Sequence, residues 1–304
     1  PNVYKYEDMV IINAGCASCT KTRFGDFNSM NWIKLDKKKI ELTTERLDGE
    51  LTTKKFSRAK KHLFQPEANK LLRIAQISDT YITQFNNFED KKFTNAVNSI
   101  NNLDPDLVVH CGDIVNRGTT ENYRIAKKLL EKIEPPLIII PGPKDINYLG
   151  YDLFPKVLGS YNTEYENDYL KILGVPTAKY DTSIGRVGEL AINEIKESFK
   201  GYEGIKAVFL HHNVIPLPHV RERGLLEDAG DLLDSLSGIG VDLILTGSST
   251  YPHVKKLDGM LVANAGSLSS RLIRNPTGNS FNLIDVYPDI YFVSEIHSLW
   301  GSKR

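Results

Sequence analysis

Between residues 71 and 245, short apolar runs alternate with helical stretches, and this alternation constrains the fold more than any other feature of the chain. The runs are residues 71–77, 106–111, 137–140, 205–210 and 241–245; the helical stretches fall around 91–102, 121–133, 189–199 and 227–236. Strands alternating with helices predict an α/β layered domain. After Val254 the helical pattern stops, and strands are expected near 260–264, 280–287 and 290–296.

In such a sheet the functional residues lie just past the carboxyl ends of the strands. Five loops occupy those places: Ser78-Asp79-Thr80-Tyr81, Gly112-Asp113-Ile114-Val115-Asn116, Pro141-Gly142-Pro143-Lys144-Asp145, His211-His212-Asn213 and Thr246-Gly247-Ser248-Ser249-Thr250. Their order and spacing resemble the calcineurin-like metallophosphoesterase superfamily, especially its cyclic-nucleotide-phosphodiesterase-like branch, whose pattern is D-x-H, G-D, G-N-H-D, a lone H and G-H-x-H. The resemblance covers residues 71–300 and implies a four-layer α-β-β-α sandwich. It also implies two metal ions about 3.5–4 Å apart that share one aspartate, activate a hydroxide and clamp the phosphate. Residue by residue, Asp79 takes the place of the first aspartate, Asp113 of the bridging aspartate and His211 of the lone histidine. Asp145 falls on the last, structural position of G-N-H-D.

The departures from that pattern carry as much information. Tyr81 replaces the first histidine, Pro143 the asparagine ligand, Lys144 the histidine acid, and Ser248 and Thr250 the two histidines of G-H-x-H. Three of the family's seven ligands remain, and proline offers no side-chain donor. The expected residue of the centre is at most one weakly held divalent ion, manganese, zinc or iron. Asp79 and Asp113 also suit the capping of turns and helix starts, and His211 with His212 suits a structural pair. His110, His219 and His253 are close enough in sequence to replace a lost ligand. Lys144 is expected to reach into the vacated centre and neutralise the two carboxylates. Loops 161–168 and 214–224 are expected to flank the cleft.

Residues 1–35 recur near the other end of the chain, without a gap, at an offset of 251. Matching pairs include Val3/Val254, Lys5/Lys256, Met9/Met260, Asn13/Asn264, Gly15/Gly266, Ser18/Ser269, Ser29/Ser280, Asn31/Asn282 and Ile33/Ile284. A period of that length belongs to whole domains. Residues 1–48 therefore read as the closing β-strands of an upstream homologous domain, with strands near 9–13, 30–35 and 40–44. Residues 49–70 read as a basic linker with some helix, and 71–304 as the metallophosphoesterase-like domain. The closing strands are expected to pair with the upstream phosphoesterase domain or with a second copy of this chain.

Charge separates the function classes that are left. Lys plus Arg and Asp plus Glu each total 38, so there is no general pull toward nucleic acid or anionic membranes. No aromatic ladder accompanies Lys54, Lys55, Arg58, Lys60 and Lys61. No apolar run approaches the ~20 residues that span a bilayer. The chain has three cysteines, which fits a reducing, cytoplasmic setting. Cys16 and Cys19 form a C-x-x-C, but their repeat counterparts are Ser267 and Ser270, which argues against zinc or redox chemistry. Two classes compete: an inactive scaffold or partner domain of a tandem protein, and a phosphohydrolase or phosphodiesterase working through a reduced metal site. A phosphate-ester ligand fits both.

Overall fold

This computed structural model describes five strands within residues 1–67 and, from residue 69 to 297, all but residues 86, 218–224, 272, 274–277 and 289. Residues 1–67 and 68–304 form two compact units. In the first, β1 (Val3–Tyr6) pairs antiparallel with β2 (Met9–Ile12), while β3 (Ser29–Leu35), β4 (Lys39–Arg46) and β5 (Leu51–Ser57) form a second antiparallel sheet in that order. The fifth strand falls where the sequence suggested connecting chain. Its run of Thr52, Thr53 and Phe56 favours extended backbone, and it pairs with β4 from Lys39↔Ser57 to Glu45↔Leu51. Cys16, Cys19, Arg58, Lys60 and Lys61 lie outside the described residues.

The second unit runs β6 (Leu72–Ile77), α1 (Asp90–Leu103), β7 (Leu107–His110), α2 (Thr120–Leu130), β8 (Leu137–Ile139), α3 (Pro143–Ile146) and α4 (Gly150–Val157). It continues through β9 (Glu164–Glu166), β10 (Leu170–Gly174), α5 (Glu189–Ser198), β11 (Ile205–Phe209), α6 (Ala229–Gly238) and β12 (Leu243–Thr246). It closes with β13 (His253–Leu257), β14 (Met260–Asn264), β15 (Ser280–Val286) and β16 (Tyr291–His297). One sheet has the order β16-β15-β6-β7-β8, the other β13-β14-β12-β11-β10-β9. The polar stretch expected to be a cleft loop at 161–168 instead contains β9, an edge strand paired with β10.

The period of two along the central strands sorts the core into layers. Ala75, Ile77 and Val108 turn toward Phe93, Val97 and Ile100 of α1 and Tyr123 and Ala126 of α2. Leu72, Ile74, Leu107 and Val109 turn the other way and share a core with Ile172, Phe209 and Ile244 of the second sheet, which also takes in Ile195 of α5 and Leu232 of α6. The result is the four-layer α-β-β-α sandwich. Helix α1 stops where Asp104 takes a left-handed backbone (φ 46°) immediately before Pro105. Helix α2 starts on Thr119, whose hydroxyl accepts the Asn122 N–H.

Polar side chains fasten the two sheets together beneath the strand ends. Buried Gln76 on β6 donates to the carbonyls of Thr246 and Ala263, each at 2.9 Å, and accepts from Asn282 Nδ2 at 2.9 Å. Asn264 accepts from the Thr246 hydroxyl at 2.9 Å and donates to Ser249 Oγ at 3.0 Å. Every member has a partner, so the network specifies sheet register without leaving a buried polar group unmade.

Candidate active site

The strand ends of β6, β7, β8, β11 and β12 bring all five loops to one edge of the sandwich. The backbone there is unusual. Asp79 (φ 52°), Tyr81 (φ 49°), Asp113 (φ 53°), Ser248 (φ 72°) and Thr250 (φ 56°) all lie in the left-handed region that non-glycine residues avoid. These are the residues that the resemblance places in D-x-H, G-D and G-H-x-H. Gly142 is held by sterics: a Cβ there would collide with the Asp113 carboxylate and with its backbone nitrogen.

Asp79, Asp113 and His211 come together and are buried. The Asp79 Oδ2 accepts the Ser78 hydroxyl at 2.7 Å, while its Oδ1 is buried and makes no hydrogen bond of ordinary length, with the Tyr81 phenol the nearby donor that faces the carboxylate. Burial raises the Asp79 pKa, and the charge of Asp113 adds to the rise, against the pull of His211. Asp113 Oδ1 accepts the Lys144 backbone N–H at 3.0 Å and lies 3.8 Å from His211 Nε2. His211 Nδ1 donates to the Cys111 carbonyl at 2.7 Å, which directs Nε2 at the carboxylates. Burial alone would lower the His211 pKa, but the charges of Asp113 and Asp79 outweigh it and the net shift is upward. His211 therefore holds its proton more tightly than a free imidazole while it faces the two carboxylates.

Lys144 does not play the part expected of it. Its ammonium sits 5.6 Å from the centre of the Tyr81 ring, and among the described residues it makes no ion pair with Asp79 or Asp113. The reason is local: Pro143 starts the short helix α3, so Lys144 offers the centre its backbone N–H while its side chain turns away. Tyr81 fills the intervening place. Burial pushes its phenol well above the usual range, and the charges of Asp79 and Asp113 push it further.

Lys144 instead lines a cavity of about 310 Å³ with Asn87, Asn116, Arg117, Asn147 and Tyr148. Arg117 lies 5.9 Å from the Tyr148 ring centre, so both cations rest on aromatic faces. The sequence did not single out this pocket; the signal was available in Asn116-Arg117-Gly118, directly after the G-D loop.

Of the remaining sequence candidates, His110, His212 and Asp145 have structural partners. His110 Nδ1 accepts the Gly112 N–H at 3.2 Å and its Nε2 meets Thr80 Oγ1 at 3.2 Å, and burial lowers its pKa to about 3. His212 lies 2.7 Å from Thr177 Oγ1 and contacts the Ser183 carbonyl, and burial lowers its pKa to about 3 as well. His253 is on edge strand β13, and His219 lies outside the described residues. Asp145 is a scaffold residue: its two oxygens accept the Val115 and Gly142 N–H groups, both at 2.8 Å.

A two-metal complement does not fit this donor set. Pro143 supplies no donor and Lys144 turns away. Among the described residues, no group of three or more His, Cys, Asp or Glu side chains is arranged to hold a metal ion. The buried Asp79 Oδ1, without a hydrogen bond of ordinary length, is the feature that matches a single residual ion.

Residues 72–247 match the calcineurin-like phosphoesterase family. A probable cyclic nucleotide phosphodiesterase of Xenorhabdus bovienii is 24% identical over 249 residues, spanning 74% of this chain and 100% of that protein. A glycerophosphodiester phosphodiesterase of Enterobacter lignolyticus is 33% identical over 163 residues, 47% of this chain and 58% of that protein. Among solved structures, a dimetal phosphatase from Danio rerio has a TM-score of 0.59 at 12% identity, covering 76% of this chain and 98% of that one. GAP50, the anchor in the inner membrane complex of Plasmodium, has a TM-score of 0.57 at 14% identity, covering 77% and 87%. At these identities the two structures establish the fold. Among the described residues, no helix is long and apolar enough to cross a membrane.

Proposed function

Since this chain belongs to the calcineurin-like phosphoesterases, we propose that residues 68–304 are a member whose metal centre has been dismantled, serving as a scaffold or partner domain that holds phosphate esters without cleaving them. The observation that carries this reading is the third loop. Pro143 and Lys144 remove a ligand and the acid at once, and the Lys144 ammonium rests over Tyr81 at 5.6 Å. A cation at that point, in the neighbouring cavity, attracts a phosphate. The neighbouring pocket adds Arg117 and the Asn87, Asn116 and Asn147 amides, groups suited to phosphate oxygens and ester hydroxyls.

A second reading, a hydrolase using one ion, is favoured by the buried Asp79 Oδ1, which makes no hydrogen bond of ordinary length. Titration calorimetry with manganese, zinc and ferrous ions separates the two, alongside hydrolysis assays on a cyclic nucleotide and a glycerophosphodiester, the esters named for the relatives. The scaffold reading expects no tight metal equivalent, no metal-dependent turnover, and salt-sensitive binding of inorganic phosphate that Lys144→Ala weakens about 10-fold. One tight equivalent with turnover, both lost in Asp79→Asn, would establish the one-ion hydrolase. Two tight equivalents abolished by Asp113→Ala would overturn both readings.

A further inference from the structure

The repeat at offset 251 extends to the backbone pairing of the strands. In β1 and β2 the partners run from Val3↔Ile12 to Tyr6↔Met9, and at the same offset β13 and β14 run from Val254↔Ala263 to Leu257↔Met260. In β3 and β4 they run from Ser29↔Arg46 to Leu35↔Ile40, matched by Ser280↔His297 to Val286↔Tyr291 in β15 and β16. Since a one-residue slip would turn every side chain to the opposite face, shared register across two hairpins is a demanding coincidence.

In the second unit these closing strands depend on strands from the opening part. β14 pairs parallel with β12, as in Leu243↔Leu261, and β15 pairs antiparallel with β6, as in Ile284↔Ile74. In the first unit, β2 pairs only with β1, and β3 only with β4, among the described residues. β5, at the other side of β4, leaves β3 as the edge equivalent to the one that β6 fills on β15. The sequence keeps groups that serve such an opening part. Asn282 donates to Gln76 at 2.9 Å and Ser269 to the Thr80 carbonyl at 3.0 Å, contacts from closing to opening half. At offset 251 the same residue types stand at Asn31 and Ser18.

We infer that the open edges of β2 and β3 dock the opening strands of a second metallophosphoesterase domain, one that lacks closing strands of its own. The edge of β2 takes a parallel strand equivalent to β12, and the edge of β3 an antiparallel strand equivalent to β6. A second copy of this chain offers no vacancy, because its β6 and β12 are already paired with β15 and β14. The inference is independent of the metal content of residues 68–304.

A chimera tests it. In the full chain, residues 252–297 are replaced by a second copy of residues 1–46, a segment of equal length, and the control carries residues 2–47 in the same place. The expected result is cooperative thermal unfolding of the first chimera and none of the control, whose register is moved by one residue. If both unfold alike, the closing role is wrong. Hydrogen exchange on the parent chain gives a second, folding-independent reading: amides of β3 should exchange at least about 100-fold faster than their β15 counterparts. Equal protection would mean that the edge is already filled and would overturn the docking proposal.

Discussion

On one side of the cleft the loops after β6, β7 and β11 present Asp79, Asp113 and His211, buried together. On the other, the loops after β8 and β12 present Pro143, Lys144, Ser248 and Thr250. The first side carries two carboxylates and the imidazole of its family's pattern, while the second carries none of that pattern's ligands. Yet Ser248 and Thr250 keep the left-handed backbone that Asp79 and Asp113 also adopt. That backbone is thus compatible with either set of side chains and is held by the surrounding packing and hydrogen bonds. Side chains at such a site can be exchanged singly, whereas the strained loops change only with the fold around them.

The fold should depend on the contacts that join the retained side to the rest of the cleft. Asp145 ties the two sides together, joining the β7 and β8 loops through Val115 and Gly142. Asp145→Ala leaves two buried donors unpaired at about 1–3 kcal/mol each, so urea unfolding should show a loss of about 2–6 kcal/mol. A loss under about 1 kcal/mol would mean that water or backbone shifts replace the carboxylate.

The other side should accept metal ligands when they are supplied. Because Tyr81, Ser248 and Thr250 share the left-handed backbone of Asp79 and Asp113 on the same edge, the combined variant Tyr81→His, Pro143→Asn, Lys144→His, Ser248→His and Thr250→His should bind zinc or manganese at least about 100-fold more tightly than the parent, about 2.7 kcal/mol. Calorimetry that finds no gain would show that the loops have drifted beyond ligand geometry.

The sandwich was legible because its central strands are nearly continuous apolar runs: Leu107–His110 and Leu243–Thr246 are buried at every position. Glu164–Glu166 and Leu51–Ser57 were missed as strands because edge strands are polar and their pairing is decided by a neighbour. The five loops were legible from spacing. The direction of the Lys144 side chain was not, since it follows from the helical start that Pro143 imposes and from the Tyr81 ring nearby, both matters of three-dimensional placement. The roles of His110 and His212 were equally hidden, because nothing in a single histidine tells a neutral, hydrogen-bonded core residue from a ligand.

Those two histidines supply a pH test of the retained side. His110 has an unfolded pKa near 6.5 and a folded value lowered to about 3, so the unfolded chain binds the proton. Its stabilising contribution is complete above about pH 6.5 and is lost as the pH falls toward 3. At pH 5 the loss is about 2 kcal/mol, with a similar share from His212. Asp79 and Asp145, whose pKa values burial raises to about 6 and about 7, take up protons in the folded chain over the same range and oppose that loss. The test is therefore a difference: denaturant unfolding should show His110→Asn gaining about 2 kcal/mol on the parent between pH 7 and 5. An unchanged slope in that variant would place the proton uptake elsewhere.

The smallest effect separates the sides most directly. Ser248 is left-handed at φ 72°, and among the described residues its side chain makes no hydrogen bond. A left-handed non-glycine residue costs about 1–2 kcal/mol. Glycine removes that cost but adds about 0.5–1 kcal/mol of chain entropy to the unfolded state. Ser248→Gly should therefore stabilise the protein by about 0.5 kcal/mol. At Asp79, left-handed at φ 52°, the same substitution deletes the carboxylate that takes the Ser78 hydroxyl. Loss of that bond outweighs the relief of strain, so Asp79→Gly should lower stability where Ser248→Gly raises it. Matched thermal melts decide it. If both variants shift the melting temperature in the same direction, strain and chemistry have not come apart across the cleft as the two sets of side chains imply.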